Sequence, residues 1–334
     1  MSLASLRRLL PDGFTLALLA AVGLATVLPC RGVAALWLDR VTDAAIMLLF
    51  FLHGAKLSRE AVLRGVTHWR LHLAVFASTF VLFPLLGWLL GPLTRSLLTP
   101  ELALGMLYVC TLPSTVQSSI AFTSIAGGNV PAAVVSASLS SLIGIVLTPL
   151  LVGLLLATQG GHGPGAAGVW EIVRLLLLPF AVGHLLRPWI GGWVDRHRPL
   201  LGLTDRGTIL LVVYAAFGEA VVDGLWRATA PLALVATLGV GALLLALALA
   251  CTATVGRLLG FARADRITLV FCGSKKSLAS GVPMAKILFA SQAGGLGALL
   301  LPLMIFHQLQ LMVCAVLARR YARRPAPSTA GRPP

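Results

Sequence analysis

The chain has 334 residues, of which 58% are hydrophobic and only 11% charged, and its mean hydropathy is +0.93. That balance excludes a soluble globular domain of this length and marks an integral membrane protein. The formal net charge of +15 raises nucleic acid as a partner, but the basic residues are scattered through short connections between apolar runs. There is no basic domain and no set of stacking aromatics, so the charge reads as positive loops facing anionic membrane lipid.

Apolar stretches near twenty residues predict ten spans, at about 13–29, 33–54, 69–91, 101–126, 131–157, 170–188, 205–222, 230–256, 266–290 and 295–318. Met1 to Arg8 leads into the first of them without a small-residue cleavage site, which predicts a transmembrane helix rather than a removable signal. The second span contains Asp39, Arg40 and Asp43, and Arg40 is expected to pair with either carboxylate near the interface.

The fourth span is interrupted by Thr111-Leu-Pro-Ser-Thr-Val-Gln-Ser-Ser119. Pro113 has no N–H and clashes with the preceding turn, which frees carbonyls near Val109 and Cys110. Ser114, Thr115, Gln117, Ser118 and Ser119 add hydroxyl and amide groups beside them, a set suited to a cation or a polar substrate group. In the fifth span Ser136 and Ser140 are four residues apart and share a helix face, which is expected to look toward the broken segments.

The ninth span is interrupted by Cys272-Gly-Ser-Lys-Lys-Ser-Leu-Ala-Ser280. Gly273 permits an unusual backbone conformation, and Pro283 marks a further weak point ten residues on. Ser274, Lys275, Lys276 and Ser277 lie between them. A charged side chain at a helix centre costs roughly 2.5–3.5 kcal/mol on insertion scales, so two in a row call for compensation. Adjacent positions diverge by about 100 degrees on a helix, so the two ammonium groups are expected to meet different surroundings. Glu101, Glu171, Glu219, Asp223 and Asp265 all map to span ends. The scarcity of carboxylates favours an anionic substrate, or a lysine that exchanges protons.

In the tenth span His307 is either a structural hydrogen-bonding residue or a proton relay. Residues 319–334, with Arg-Arg pairs and prolines, read as a basic, disordered cytoplasmic tail. The five cysteines are isolated within or beside apolar runs, so neither a disulfide framework nor a metal site is expected.

An even number of spans puts both termini and the even-numbered loops on one side. Eighteen Lys and Arg residues fall there against six on the other, which places both termini in the cytoplasm of a bacterial-type inner membrane. Five spans per half gives two repeats of inverted topology, residues 1–160 and 161–318. The two breaks then correspond, with Pro113 and Gly273 lying 160 positions apart. A break at mid-membrane persists only where it is buried in protein or lines a wet cavity, so matched breaks point to a transporter's binding site.

The segment Gly273 to Ser277, continued by Leu-Ala-Ser-Gly-Val-Pro-Met-Ala through Ala285, resembles the bile acid:sodium symporter family. The likeness is to a branch of orphan transporters with a Gly-Ser-Lys-Lys-Ser signature in span nine. Leu112 to Ser119 resembles the same branch, and the likeness covers about residues 13–318. It implies an all-α fold with a panel of spans 1, 2, 6 and 7 and a core of spans 3, 4, 5, 8, 9 and 10. Spans four and nine would cross at unwound centres, with sodium sites behind the crossing and substrate in front. Rotation of core against panel would give alternating access.

By the same resemblance, Ser118 and Ser119 stand where the bile-acid branch has a sodium-coordinating serine and asparagine, and Ser136 stands near a further hydroxyl ligand. Phe271 replaces a glutamate that helps to hold sodium, Lys275 replaces a glutamine ligand, and Lys276 replaces an asparagine near the substrate. A fixed ammonium in place of a sodium ion fills the same electrostatic role, which puts classical sodium coupling in doubt.

The resulting expectation is a secondary transporter of a small organic anion with no cofactor, and with sodium or a proton left open as coupling ion. The alternative is a membrane regulator or sensor that keeps the transporter fold. An enzyme is not expected: there is no H-E-x-x-H and no G-x-S-x-G, and Leu278-Ala-Ser-Gly281 has no evident histidine partner. The sequence leaves the oligomeric state open.

Overall fold

The computed structural model describes residues 13–56, 68–158, 170, 173–289 and 296–323, and the described residues form helices joined by short turns. In chain order these are α1 (Gly13–Val27), α2 (Val33–Lys56), α3 (Trp69–Leu89), α4 (Gly91–Leu97), α5 (Pro100–Thr111), α6 (Gln117–Ile125) and α7 (Val130–Thr158). They continue with α8 (Val173–Arg196), α9 (Arg198–Val222), α10 (Leu225–Ala228), α11 (Pro231–Leu258), α12 (Arg263–Gly273), α13 (Leu278–Leu288) and α14 (Leu296–Ala322). The basic tail beyond residue 323 lies outside the described residues.

Among the described residues six helices are long and apolar enough to cross a membrane: α3, α7, α8, α9, α11 and α14. Each of α8, α9 and α11 turns large apolar side chains outward, among them Leu185, Trp189, Leu203, Leu232 and Leu258. A soluble protein would not leave so much apolar surface bare. The expected fourth and ninth spans are each two short helices, α5 with α6 and α12 with α13, separated by extended backbone.

Local sequence explains the joints. Pro100 starts α5 in the first turn, where its missing N–H is harmless, and the Thr99 hydroxyl accepts from Leu102 N at 3.4 Å. The turn between α6 and α7 needs Gly127, whose φ of +71° suits glycine alone. Asn129 then caps α7 through Ala132 N and donates its amide to Asp265 Oδ1 at 2.8 Å, which pins the start of α7 to the start of α12.

Inside α3, Ser78–Leu82 forms a π turn in which Phe83 N–H reaches back five residues to Ser78 O. The next carbonyl in that register is Thr79 O, and its donor would come from residue 84. Residue 84 is a proline without an N–H, so Thr79 O is left without a helical partner.

The helices gather into two groups. One contains α1, α2, α8 and α9, through the pairs α1–α9, α2–α8 and α2–α9. The other contains α3, α5–α7 and α11–α14, and α9 is the chief bridge between groups, against α13 and α14. Charges tie α2 at both ends. Near its start Asp39 and Asp43 meet Lys286 of α13, at 2.8 and 2.5 Å, while at its end Lys56 meets Asp205 of α9 at 2.7 Å. This corrects the expected pairing of Arg40, whose guanidinium instead lies 5.7 Å over the Trp37 ring. Lys286 offers the two carboxylates a partner from another helix, and Arg40 is turned the other way.

The tightest helix crossing is α2 on α8. Gly54 faces the Phe180 carbonyl and Gly183 faces the Phe51 carbonyl, each so closely that any Cβ would collide with backbone. Gly183→Ala is therefore expected to destabilise the protein by about 1–3 kcal/mol through overpacking. Gly192→Ala, on the same helix with open space around it, should hold or slightly raise stability, since alanine is the better helix former. Thermal unfolding of the two variants in detergent checks the contrast.

Candidate functional site

Both breaks are held open by hydrogen bonds that replace the missing helical ones. At the first, Pro113 removes a donor, and the Ser114 N–H that an unbroken helix would give to Cys110 O goes to Ser140 Oγ at 3.0 Å. Ser141 Oγ donates to Ser114 O at 3.4 Å, and Thr148 Oγ1 donates to Thr111 O at 3.0 Å. Gly144 lets α7 lie against the break, because a Cβ there would stand 2.6 Å from Pro113 Cβ.

At the second break α12 ends at Gly273, whose neighbours in space are Ser78 and Thr252. Its φ is not positive, so its use is close approach of helices rather than the unusual conformation expected from sequence. Ser277 caps α13 by accepting from Ser280 N at 3.2 Å. Pro283 lies inside α13, which runs unbroken to Leu288, so it makes no second break. Ser274 Oγ donates to Val270 O at 2.5 Å.

The two breaks meet. Ser114 Oγ donates to Cys272 O at 2.5 Å, Ser119 Oγ donates to Phe271 O at 3.0 Å, and Ser277 N donates to Pro113 O at 2.9 Å. Thr115 Oγ1 lies 2.7 Å from Ser118 Oγ and 3.0 Å from Ser119 Oγ. The hydroxyls of the first break thus satisfy the last carbonyls of α12, as membrane burial demands.

Gln117 stands apart: it is exposed, two residues and about 200 degrees round the helix from buried Ser119. Ser140 belongs to the crossing, but Ser136 does not bond it. Ser136 Oγ lies 2.7 Å from Nδ1 of His72 on α3, a histidine to which sequence reasoning gave no role.

The two lysines have different surroundings. Lys276 is fully buried, and its Nζ donates to Thr79 O at 2.8 Å, Cys110 O at 2.9 Å and Leu112 O at 2.7 Å. Its backbone is gripped by Gln310 of α14, which accepts from Lys276 N and donates to Lys276 O, both at 2.8 Å. His307 Nδ1 lies 3.0 Å from Gln310 Nε2, so it adjoins that grip rather than the lysine ammonium.

Lys275 is equally buried, yet its Nζ has no hydrogen-bond partner. It stands 4.0 Å from the ring centroid of Phe122 and 5.7 Å from that of Phe271, within reach of the ring faces. No carboxylate bonds either lysine among the described residues, and no group of three His, Cys, Asp or Glu there is placed to hold a metal ion.

Sequence reasoning missed three partners. Gln310 carries a visible signal, an intramembrane amide three residues from His307. Tyr108 offers a weaker one, and its hydroxyl donates to Gly281 O at 2.7 Å. Thr79 offers almost none, because it acts through its carbonyl, and only Pro84 five residues later hints that this carbonyl is unpaired.

A model of the SBF-like CPA transporter family matches residues 12–323. An uncharacterised protein of Pseudomonas aeruginosa is 60% identical over 317 residues, 95% of each chain. YfeH of Escherichia coli K12, provisionally named a symporter, is 55% identical over 94% of this chain and 93% of its own. Sodium/bile acid cotransporter 7 of Rattus norvegicus is 29% identical over 93% of each chain.

The Gln310 grip is directly testable. Gln310→Leu leaves the buried N–H and C=O of Lys276 both unpaired, which is expected to cost about 2 kcal/mol or more. A drop in apparent melting temperature of the purified variant, absent in a control with Gln117→Leu at an exposed position, would register it.

Proposed function

Since the chain belongs to the SBF-like CPA transporter family, a bile acid:sodium symporter-like group, we propose that it is a secondary transporter that moves an organic anion by alternating access. The observation that carries the reading is Lys275, a buried cationic side chain with no hydrogen-bond partner, beside the crossing of the two breaks. The N-termini of α6 and α13 begin at the same crossing, and such helix ends favour negative charge. An anionic group of the substrate supplies what Lys275 lacks.

The arrangement of spans follows the same proposal. Ten spans form two inverted repeats, residues 1–160 and 161–318, with both termini cytoplasmic in an inner-type membrane. Exchanging the repeats maps α1 onto α8 and α2 onto α9. The α1–α9 pair then becomes the α8–α2 pair, and both pairs are present. The group of α1, α2, α8 and α9 acts as panel and the other group as core.

Ser114, Thr115, Ser118, Ser119, Ser140, Ser274 and Ser277 frame the site, and Ser136 with His72 lies along its flank. Gln117 and Lys276 are assigned outside direct substrate contact. Classical sodium coupling is disfavoured: the Phe271 side chain offers no ligand atom, and Lys275 already brings a cationic group. A proton is the alternative coupling ion.

The test is thermal stabilisation of purified protein by a panel of organic anions, with and without sodium and across pH, alongside Lys275→Gln. A ligand at one hundred times its Kd stabilises by about 2.7 kcal/mol. The expected result is stabilisation by an anion without sodium, lost in Lys275→Gln. Stabilisation that requires sodium and survives the substitution would return the protein to ordinary sodium symport. Binding without flux in proteoliposomes would favour the regulator or sensor reading.

Alternating access also requires α13 to part from α2 at Lys286. A short cleavable thiol cross-linker between Asp43→Cys and Lys286→Cys, in a background without the five native cysteines, should arrest uptake of the anion so identified at least tenfold, and cleavage of the linker should restore it. Full uptake with complete cross-linking would overturn movement of the two groups against each other.

A further inference from the structure

We infer that the carbonyls of Thr79, Cys110 and Leu112 form a monovalent-cation site in which the ammonium of Lys276 is the resident ion. The three oxygens come from different places and are free for different reasons. Thr79 O is stranded by the π turn and Pro84. Cys110 O loses its donor because Ser114 N–H turns to Ser140. Leu112 leaves the helix with extended backbone, φ −71° and ψ 153°. All three converge on one buried point.

An ammonium has three N–H groups, and here each has one carbonyl, at 2.7–2.9 Å. The Phe83 ring lies on a further side, its centroid 4.2 Å from Nζ, and presents its negative face to a cation. No carboxylate takes part, so the cage is matched to a single positive charge rather than to a divalent ion. Gln310 fixes the Lys276 backbone on both sides, which holds the ammonium in place. The ligand class is therefore a compact monovalent cation, an alkylammonium or an alkali ion, supplied here by the chain itself.

The cage holds the crossing together whether or not the chain transports. A protein that carries this cation on its own side chain keeps the two breaks together in any salt. Lys276→Ala empties the cage while sparing its carbonyls, and so converts it into a site for a dissolved cation.

The experiment measures apparent melting temperature of purified wild type, Lys276→Ala and Lys276→Met in N-methylglucamine chloride. Sodium, potassium, ethylammonium or propylammonium chloride is then titrated at constant ionic strength. Wild type, its cage already filled, sets the baseline response to each salt. Lys276→Ala should melt several degrees lower in N-methylglucamine and recover saturably with at least one small cation. Lys276→Met, whose stem fills the space without charge, should be low and stay low.

Indifference of Lys276→Ala to all the small cations would overturn the inference, as would a response no larger than that of wild type to the same salts. Should Lys276→Ala fail to fold even when extracted in propylammonium, Lys276→Met decides: wild-type stability there would overturn the inference, and a loss of several degrees would uphold it. Flux is not read, so failure of the transport reading leaves this result untouched, and the reverse holds too.

Discussion

In a hydrocarbon environment an unpaired backbone carbonyl costs several kcal/mol, and this chain interrupts two helices in the interior of its bundle. The rest of the crossing follows from that constraint. Ser114 and Ser119 serve the end of α12, Ser277 N–H serves Pro113 O, and Ser140 receives the displaced N–H of Ser114. What the serines and backbone donors leave over, the Lys276 ammonium takes. A break that looks like a functional feature in the sequence is thus also a problem in polar satisfaction, and most of its polar residues are engaged in solving it.

That division separates side chains used to hold the site from side chains left to act in it. Lys276 belongs to the first kind, together with Gln310, and His307 lies against their contact. Under the proposed transport reading Lys275 belongs to the second, since the protein sets it beside two aromatic rings and gives it no acceptor. Two identical residues in sequence therefore differ in kind, because one carbon skeleton points toward stranded carbonyls and the next points toward Phe122.

Much of this was legible from the sequence. Pro113 among serines and the Gly-Ser-Lys-Lys-Ser run named the broken segments, and hydropathy named the membrane class and the helices. Lys275 and Lys276 meet different surroundings as expected, but both lie in the unwound segment between Gly273 and Leu278, so the divergence comes from the break and not from helical phase. What escaped depends on partners distant in the chain. Arg40 was matched with its sequence neighbours, but Lys286, 243 residues from Asp43, holds both carboxylates. Ser136 shares a face with Ser140, yet α7 is long enough for that face to meet α3 at one level and the break at the next. Gln117 was read as part of a polar cluster, whereas the phase of α6 turns it away. Pro283 weakens a helix in isolation, but packing on all sides keeps α13 intact.

The π turn in α3 has a consequence for how this chain can vary. It adds one residue to a helix and thereby displaces one carbonyl, Thr79 O, which lies nearly two hundred positions from the lysine that receives it. The contact is made by backbone, so it does not depend on the Thr79 side chain, whereas Ser78 is held small by Gly273 beside it. Removing a single residue would close the turn into ordinary α-helix, with Phe83 still one turn above Ser78 and everything after it in phase. The stretch is thus a place where a related chain can be one residue shorter without shifting the rest of the helix, and single gaps in an alignment of such chains should gather there.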